Sequence, residues 1–237
     1  MRSDGVFPNV QAYDRGAMFS PDGRIFQVDY AKEAVRRYGA TALGMVCSDS
    51  IVFVAHKNIG SPLILPSTLQ KVFRIDSHIG ATYSGVVSDA HHIINIMRSR
   101  AQTHRMVYNE AESVETIARE IADDMQIATQ YSGIRPYAAS LLVGGVSAGP
   151  RLYELDPAAS PIGCKADAIG SGKKVAEDIL VKEYKEGLEI DDAITLGIDI
   201  MRKINEGTLS SDNIDVATIT KKGGFVMYTP DRIAKYI

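Results

Sequence analysis

Gly170-Ser171-Gly172-Lys173 is the stretch with the plainest chemical potential in this chain. Glycines ahead of a lysine can cradle a phosphate with backbone N–H groups while the ammonium meets the charge. The spacing does not complete such a loop. It needs a further glycine where Asp167 stands, and a serine or threonine where Lys174 follows the lysine. A tight turn, whose glycines allow close packing, is the reading that remains. The histidines are His56, His78, His91, His92 and His104. They form no HExxH frame, and His91 and His92 are neighbours on a helical stretch, so they point in different directions. There is no CxxC pair and no GxSxG serine elbow. Cys47 and Cys164 both sit in apolar-rich stretches and read as reduced thiols. Motifs alone name no reaction, and they give no reason to expect a metal or a cofactor.

The elements that would position any site are legible from periodicity. The opening element is Phe19 to Ala34, FSPDGRIFQVDYAKEA. Ser20 opens a turn or caps a helix, Pro21 fits a first turn, and Asp22 suits the positive end of a helix dipole. Gly23 lets the turn run on. Ile25, Phe26, Val28, Ala31, Ala34 and Val35 then recur at mostly helical spacings, so a helix is expected over about residues 20–37. Short strands follow at Ala40 to Val46, Ile51 to Ala55, Lys71 to Ile75 and His78 to Tyr83. Two helices start near Val86 and Ser113, and strands return at Ala138 to Val146, Arg151 to Glu154 and Lys165 to Ile169. Two more helices span about Lys173 to Tyr184 and, capped by Asp191 or Asp192, the stretch up to Ile204. A hairpin at Ile214 to Thr220 and Gly224 to Tyr228, then a short helix from Pro230, closes the chain. Runs of strands alternating with helix pairs point to antiparallel sheets with helices stacked outside, an α+β architecture.

Composition excludes several classes. The net charge of −3 gives no reason to expect nucleic acid, and no stretch approaches the length of a membrane span. The start of the chain lacks the apolar core of a secretory signal, so a cytoplasmic location is expected. Nothing resembles a linker or a repeat, so residues 1–237 read as one domain, with 1–12 as a mobile tail.

The block FSPDGRIFQVDYAKEA, preceded by Tyr13-Asp14-Arg15 and followed by GATALG, closely resembles the N-terminal signature of proteasome α-type subunits. Similar segments run in order through KVFRID (71–76), YSGVVSDA (83–90), YSGIRPYAASLLVGG (131–145), LYELDP (152–157), AIGSG (168–172) and IDVATIT (214–220). The overall look is of an archaeal-type α subunit. The resemblance implies a four-layer α/β/β/α sandwich of the N-terminal-nucleophile hydrolase type, with an extra N-terminal helix across its cleft. It implies a seven-membered α ring, stacked on rings of β subunits in a barrel that degrades unfolded proteins.

It also implies roles for residues. β-type relatives use a threonine exposed as the first residue, whose free amine serves as base. Here Ala40 stands where that nucleophile would be, and Thr41, one residue on, has some forty residues ahead of it. No catalytic residue is therefore expected, and an autoprocessed hydrolase beginning at Thr41 is the rival reading. Lys71, Ser171 and Asp215 match supporting polar positions of active relatives, and His56 stands where an acidic residue would be expected. In the family, the lysine at the position of Lys71 receives the C-terminal carboxylate of ATPase-activator tails at a subunit seam, with Gly85 and Val86 as nearby backbone. The positions of Tyr13, Asp14, Pro21 and Tyr30 match the cluster that holds the gate open. Tyr38 looks like one extra residue in the helix-to-strand link.

Overall fold

Each of the two sheets is built from five antiparallel strands, and the sequence shows why they stack. The computed structural model describes residue 14, residues 16–205 and residues 209–237. In the first sheet the order is β10-β9-β2-β1-β8, from β1 (Ala42–Val46), β2 (Ser50–His56), β8 (Ala166–Ile169), β9 (Ile214–Thr220) and β10 (Gly224–Met227). In the second the order is β3-β4-β5-β6-β7, from β3 (Val72–Asp76), β4 (Ile79–Gly85), β5 (Ala139–Val146), β6 (Pro150–Leu155) and β7 (Pro161–Cys164). Strands β1, β2, β5 and β9 are buried on both faces, because each is covered on both sides.

The alternation along β2 sorts those two sides. Ile51, Phe53 and Ala55 meet Leu142 and Leu152 between the sheets, while Val52 and Val54 face the outer helices. Outside the second sheet lie α2 (Val87–Tyr108) and α3 (Val114–Gln130), which bury Ile93, Ile94, Met97, Ile117, Ile121 and Met125 against it. Outside the first lie α4 (Lys173–Glu183) and α5 (Ile190–Ile204), with Leu180, Ile194, Ile198 and Met201 inward. A short α6 (Pro230–Ile233) ends the chain and adds Ile233 to that layer. The result is the expected α/β/β/α sandwich.

The N-terminal helix, α1 (Phe26–Tyr38), starts later than residue 20. The Ser20-Pro21-Asp22-Gly23 stretch is a turn of its own. Gly23 N–H donates to Ser20 O at 2.8 Å, and Ser20 N–H donates to Arg24 O at 2.8 Å. Ser20 Oγ accepts from Arg24 N–H at 3.1 Å and donates to the Asp22 carboxylate. Gly23 takes φ +79°, which only glycine adopts without strain. Ser20 therefore closes the turn and leaves the helix without a side-chain cap. The buried face of α1 is Val28, Ala31 and Val35, laid against β4 and β5. Small residues are needed there because Val35 comes against the backbone at Gly85.

Three further boundaries differ from the periodicity reading. Strand β7 was not expected, since Pro161-Ile162-Gly163-Cys164 is too short to show alternation. Helix α5 starts at Ile190 after an uncapped Glu189, and Asp191 and Asp192 sit in its first turn, where they favour the dipole without capping. Tyr38, read as a linker residue, is the last residue of α1 and is 79% exposed.

Candidate functional site

Two regions near the start of β1 hold several of the polar groups that the fold buries. The first is built around Asp215 on β9. Its Oδ2 accepts from the backbone N–H of Lys71 at 2.7 Å and of Val72 at 3.4 Å, which ties the start of β3 in one sheet to β9 in the other. Its Oδ1 pairs with Lys57 Nζ at 2.9 Å. The register Ala55↔Asp215 between β2 and β9 brings Lys57, just past the end of β2, to that carboxylate. Thr82 on β4 donates its hydroxyl to Lys71 O at 2.9 Å.

The backbone of Lys71 is thus fixed from both sheets, and its side chain is left to find its own partner. The ammonium lies over the face of Tyr83, 3.8 Å from the ring centroid, a cation–π contact. No carboxylate is within ion-pair distance of it among the described residues. Burial, partly offset by the charge of Asp215, lowers Lys71 to about 8. His56 is also lowered, by burial first and then by the Lys71 charge.

A pocket of about 140 Å³ opens beside this ammonium. Its walls include Tyr38, Ala40, Lys57, Tyr83, Gly85 and Val87. Lys71 and Gly85 both line it. Val86 does not line the pocket: its N–H is used on Ala138 O at 2.8 Å and Val87 forms the wall. Lys57 and Tyr83 escaped sequence reasoning. A lysine after a strand carries no signal that it pairs with an aspartate so far along the chain.

The second region is the β1 entrance. Ala40 and Thr41 lie just ahead of β1 and have different surroundings. Ala40 lines the Lys71 pocket. Thr41 is 2% exposed, turned toward the α4 side, where its Oγ1 accepts from Gly172 N–H at 2.9 Å. The polypeptide is continuous into α1: Gly39 O accepts from Ser171 N–H at 2.9 Å, and Ala40 O accepts from Ser84 Oγ at 2.9 Å. Ser171 lies in a separate cleft of about 430 Å³, walled by Lys32, Val35 and Arg36 of α1, Glu154 and Lys173. Lys32 pins α1 to Asp156 at 2.8 Å. Lys173, the lysine of the glycine-rich turn, pairs with Glu154 at 2.5 Å, with Asp167 3.6 Å away. Burial, with Asp167 adding, raises Glu154 to about 7 against the pull of Lys173.

Of the four expected gate residues, Tyr13 lies outside the described residues. Asp14 and Tyr30 are brought together: the Asp14 carboxylate beside the Tyr30 hydroxyl raises Tyr30. Gln27 holds the segment by donating to Asp14 O. Tyr30 stacks on Phe26, ring centroids 6.4 Å apart. Pro21 is exposed in the Ser20–Gly23 turn. Two of the histidines pack on aromatic rings. His91 meets the rings of Phe73 and Tyr83, and His92 stacks on Tyr137. No cluster that could hold a metal ion occurs among the described residues. Cys47 and Cys164 are free thiols, both raised to about 11, by burial first.

A two-sheet sandwich with a helix lying over the β4–β5 side defines the class, and comparison with known proteins places the chain within it. Residues 37–219 match the family described as proteasome subunit. Residues 13–34 match the N-terminal signature of A-type proteasome subunits. The chain is 44% identical over 232 residues to the proteasome alpha subunit from Pyrococcus horikoshii, covering 97% of this chain and 88% of that one. It is 41% identical over 227 residues to the protein of that name from Archaeoglobus fulgidus, covering 95% and 92%. With the one from Methanocaldococcus jannaschii it shares 43% over 213 residues, covering 89% and 81%. The chain belongs to the proteasome subunit family and carries the N-terminal signature of its α-type members. No helix among the described residues is long and apolar enough to cross a membrane.

Proposed function

We propose that this chain is a non-catalytic α-ring subunit of the proteasome core particle, one domain over residues 1–237. It scaffolds a seven-membered ring on β subunits, gates the passage of unfolded proteins, and docks the C-terminal tails of ATPase activators in the cytoplasm. The observation that carries this reading is the Lys71 pocket. Among the described residues its buried ammonium has no ion-pair partner, and Ala40, just ahead of β1, lines the pocket with no nucleophile to activate. An ammonium on a flexible stem suits the terminal carboxylate of a tail at a partly closed seam. The rival reading, a hydrolase cut before Thr41, fits poorly with a threonine hydroxyl turned away from Lys71 and held against the Gly172 amide.

Gating is assigned to the segment ahead of Asp14, held by Tyr13, Asp14, Pro21 and Tyr30. The Asp14–Tyr30 contact is the support for that cluster. Deletion of residues 2–12, in a complex reconstituted with β subunits, is expected to raise basal hydrolysis of a small fluorogenic peptide several-fold. An unchanged basal rate would show that this tail does not gate.

A further inference from the structure

We propose that the cleft between α1 and the start of α4 binds a phosphate monoester, whose oxygens are held by Ser140, Lys174 and the first amides of α4. This is independent of how the Lys71 pocket is read. The two share no lining residue, and this one opens on the side of β6 and β8.

The cleft offers unused donors over an apolar wall. Ser140 on β5 points the same way as Leu142, two residues on, which lies between the sheets. It is 6% exposed and lines the cleft, and its hydroxyl has no hydrogen-bond partner among the described residues. A hydroxyl buried without a partner is costly, so the position favours a ligand that brings an acceptor. Gly170, Ser171, Lys173 and Lys174 carry the opening of α4 into the same wall. That helix has no side-chain cap and no acidic residue in its first turn. Lys173 N–H donates to Gly170 O at 3.2 Å and Ala176 N–H to Gly172 O at 3.0 Å. Among the described residues no acceptor meets the N–H groups of Lys174 and Val175, which sit at the positive end of the helix dipole.

The carboxylates nearby are already engaged. Glu154 pairs with Lys173 at 2.5 Å, and Asp167 and Glu177 each lie 3.6 Å from the same ammonium. Asp156 pairs with Lys32 at 2.8 Å, and Glu33 with Arg36 at 2.7 Å. Lys174 is the lining cation with no carboxylate in ion-pair distance among the described residues. The lysine of the glycine-rich turn is therefore taken by Glu154, and the next lysine is the one left for a ligand.

These donors define the ligand class. A hydroxyl from β5, two amides and an ammonium from α4 approach from two elements, which suits the three terminal oxygens of a tetrahedral phosphate better than one flat carboxylate. Val35, Ile169 and Pro157 line the rest of the cleft and suit an apolar ester group. The volume, about 430 Å³, lies in the range of small-molecule sites.

Titration calorimetry on the full-length protein, near neutral pH and at fixed ionic strength, tests this with phenyl phosphate, benzoate and inorganic phosphate. Phenyl phosphate is expected to bind once per chain, and benzoate and inorganic phosphate several-fold more weakly. Ser140→Ala removes a hydroxyl that the fold does not use, and Lys174→Met alters an exposed residue, so both variants are expected to melt like the parent. Each is expected to weaken phenyl phosphate by roughly tenfold, the effect of losing one hydrogen bond to a charged group. Lys71→Ala is expected to leave the affinity unchanged. No saturable binding of phenyl phosphate, or binding that neither cleft variant weakens, would overturn the site. Loss of binding in Lys71→Ala alone would place the anion in the other pocket and overturn it equally. Benzoate binding as tightly as phenyl phosphate would overturn the phosphate class, and inorganic phosphate doing so would overturn the apolar subsite.

Discussion

Replacing Lys71 by alanine is expected to abolish activator-stimulated proteolysis while leaving assembly with β subunits intact. The size of the effect follows from what the side chain does. Loss of one partner of a desolvated charge pair costs about 2–5 kcal/mol, and several tails engaging one ring multiply the loss. The fold has no comparable stake in the ammonium. The bonds that join the sheets here run from the backbone N–H groups of Lys71 and Val72 to Asp215, which Lys57 holds from within its own sheet, and all of them survive the substitution.

The linkage sign supports the same expectation. Lys71 is lowered to about 8 in the fold and keeps its ordinary, higher value when unfolded. Between those values the unfolded chain binds more protons, so stability rises with pH there; below pH 8 the charged side chain is a standing cost. Its removal at pH 7 relieves that cost and offsets the cavity left behind. A steady-state assay with and without activator, alongside a native sizing run, checks the prediction. Normal stimulation by the activator would remove Lys71 from docking.

The second large effect is expected at Gly85. Its φ is +111°, and a Cβ there would lie 2.3 Å from Ala138 O and 2.9 Å from Val35 Cγ2. Gly85→Ala therefore strains the backbone, disrupts the end of the β4–β5 ladder where Gly85 pairs with Ala139, and pushes on α1. Summing strain and clash, the loss is about 3–5 kcal/mol, or roughly 10 °C in Tm for a chain of this size. Gly133→Ala is the control. Its φ of +92° carries the same kind of strain, but nothing lies within 4 Å of an added Cβ. It should cost only about 1–2 kcal/mol. Thermal melts of both variants decide: equal losses would mean that the contact of α1 with the Gly85 backbone contributes nothing.

Much of this fold is readable in the chain itself. Helices α2 and α3 announce themselves because Ile93, Met97 and Ala101, or Ile117, Ile121 and Met125, recur at helical spacing for several turns. What is not readable depends on contacts made elsewhere. Ser20 reads equally well as a helix cap or as the closure of a turn, and only its bonds to Arg24 decide. Strand β7 exists because β6 offers it an edge, since Tyr153 pairs with Gly163 and Leu155 with Pro161, and its own four residues carry no pattern. The Lys71 pocket is legible through family resemblance, but its charge balance is not. That balance depends on Lys57 reaching Asp215 through the β2–β9 register, a long-range pairing that local spacing does not encode.

An uncut ring subunit that partners β subunits, as proposed, has a mass signature of its own. Native mass spectrometry of the full-length protein, alone and co-expressed with candidate β subunits, tests it most directly, because one spectrum reads both the assembly and the released subunit. The expected result is a ring-sized multiple of a subunit that retains the residues ahead of Thr41, growing into a larger complex when β subunits are present. A monomer under both conditions, or a released subunit beginning at Thr41, would contradict it.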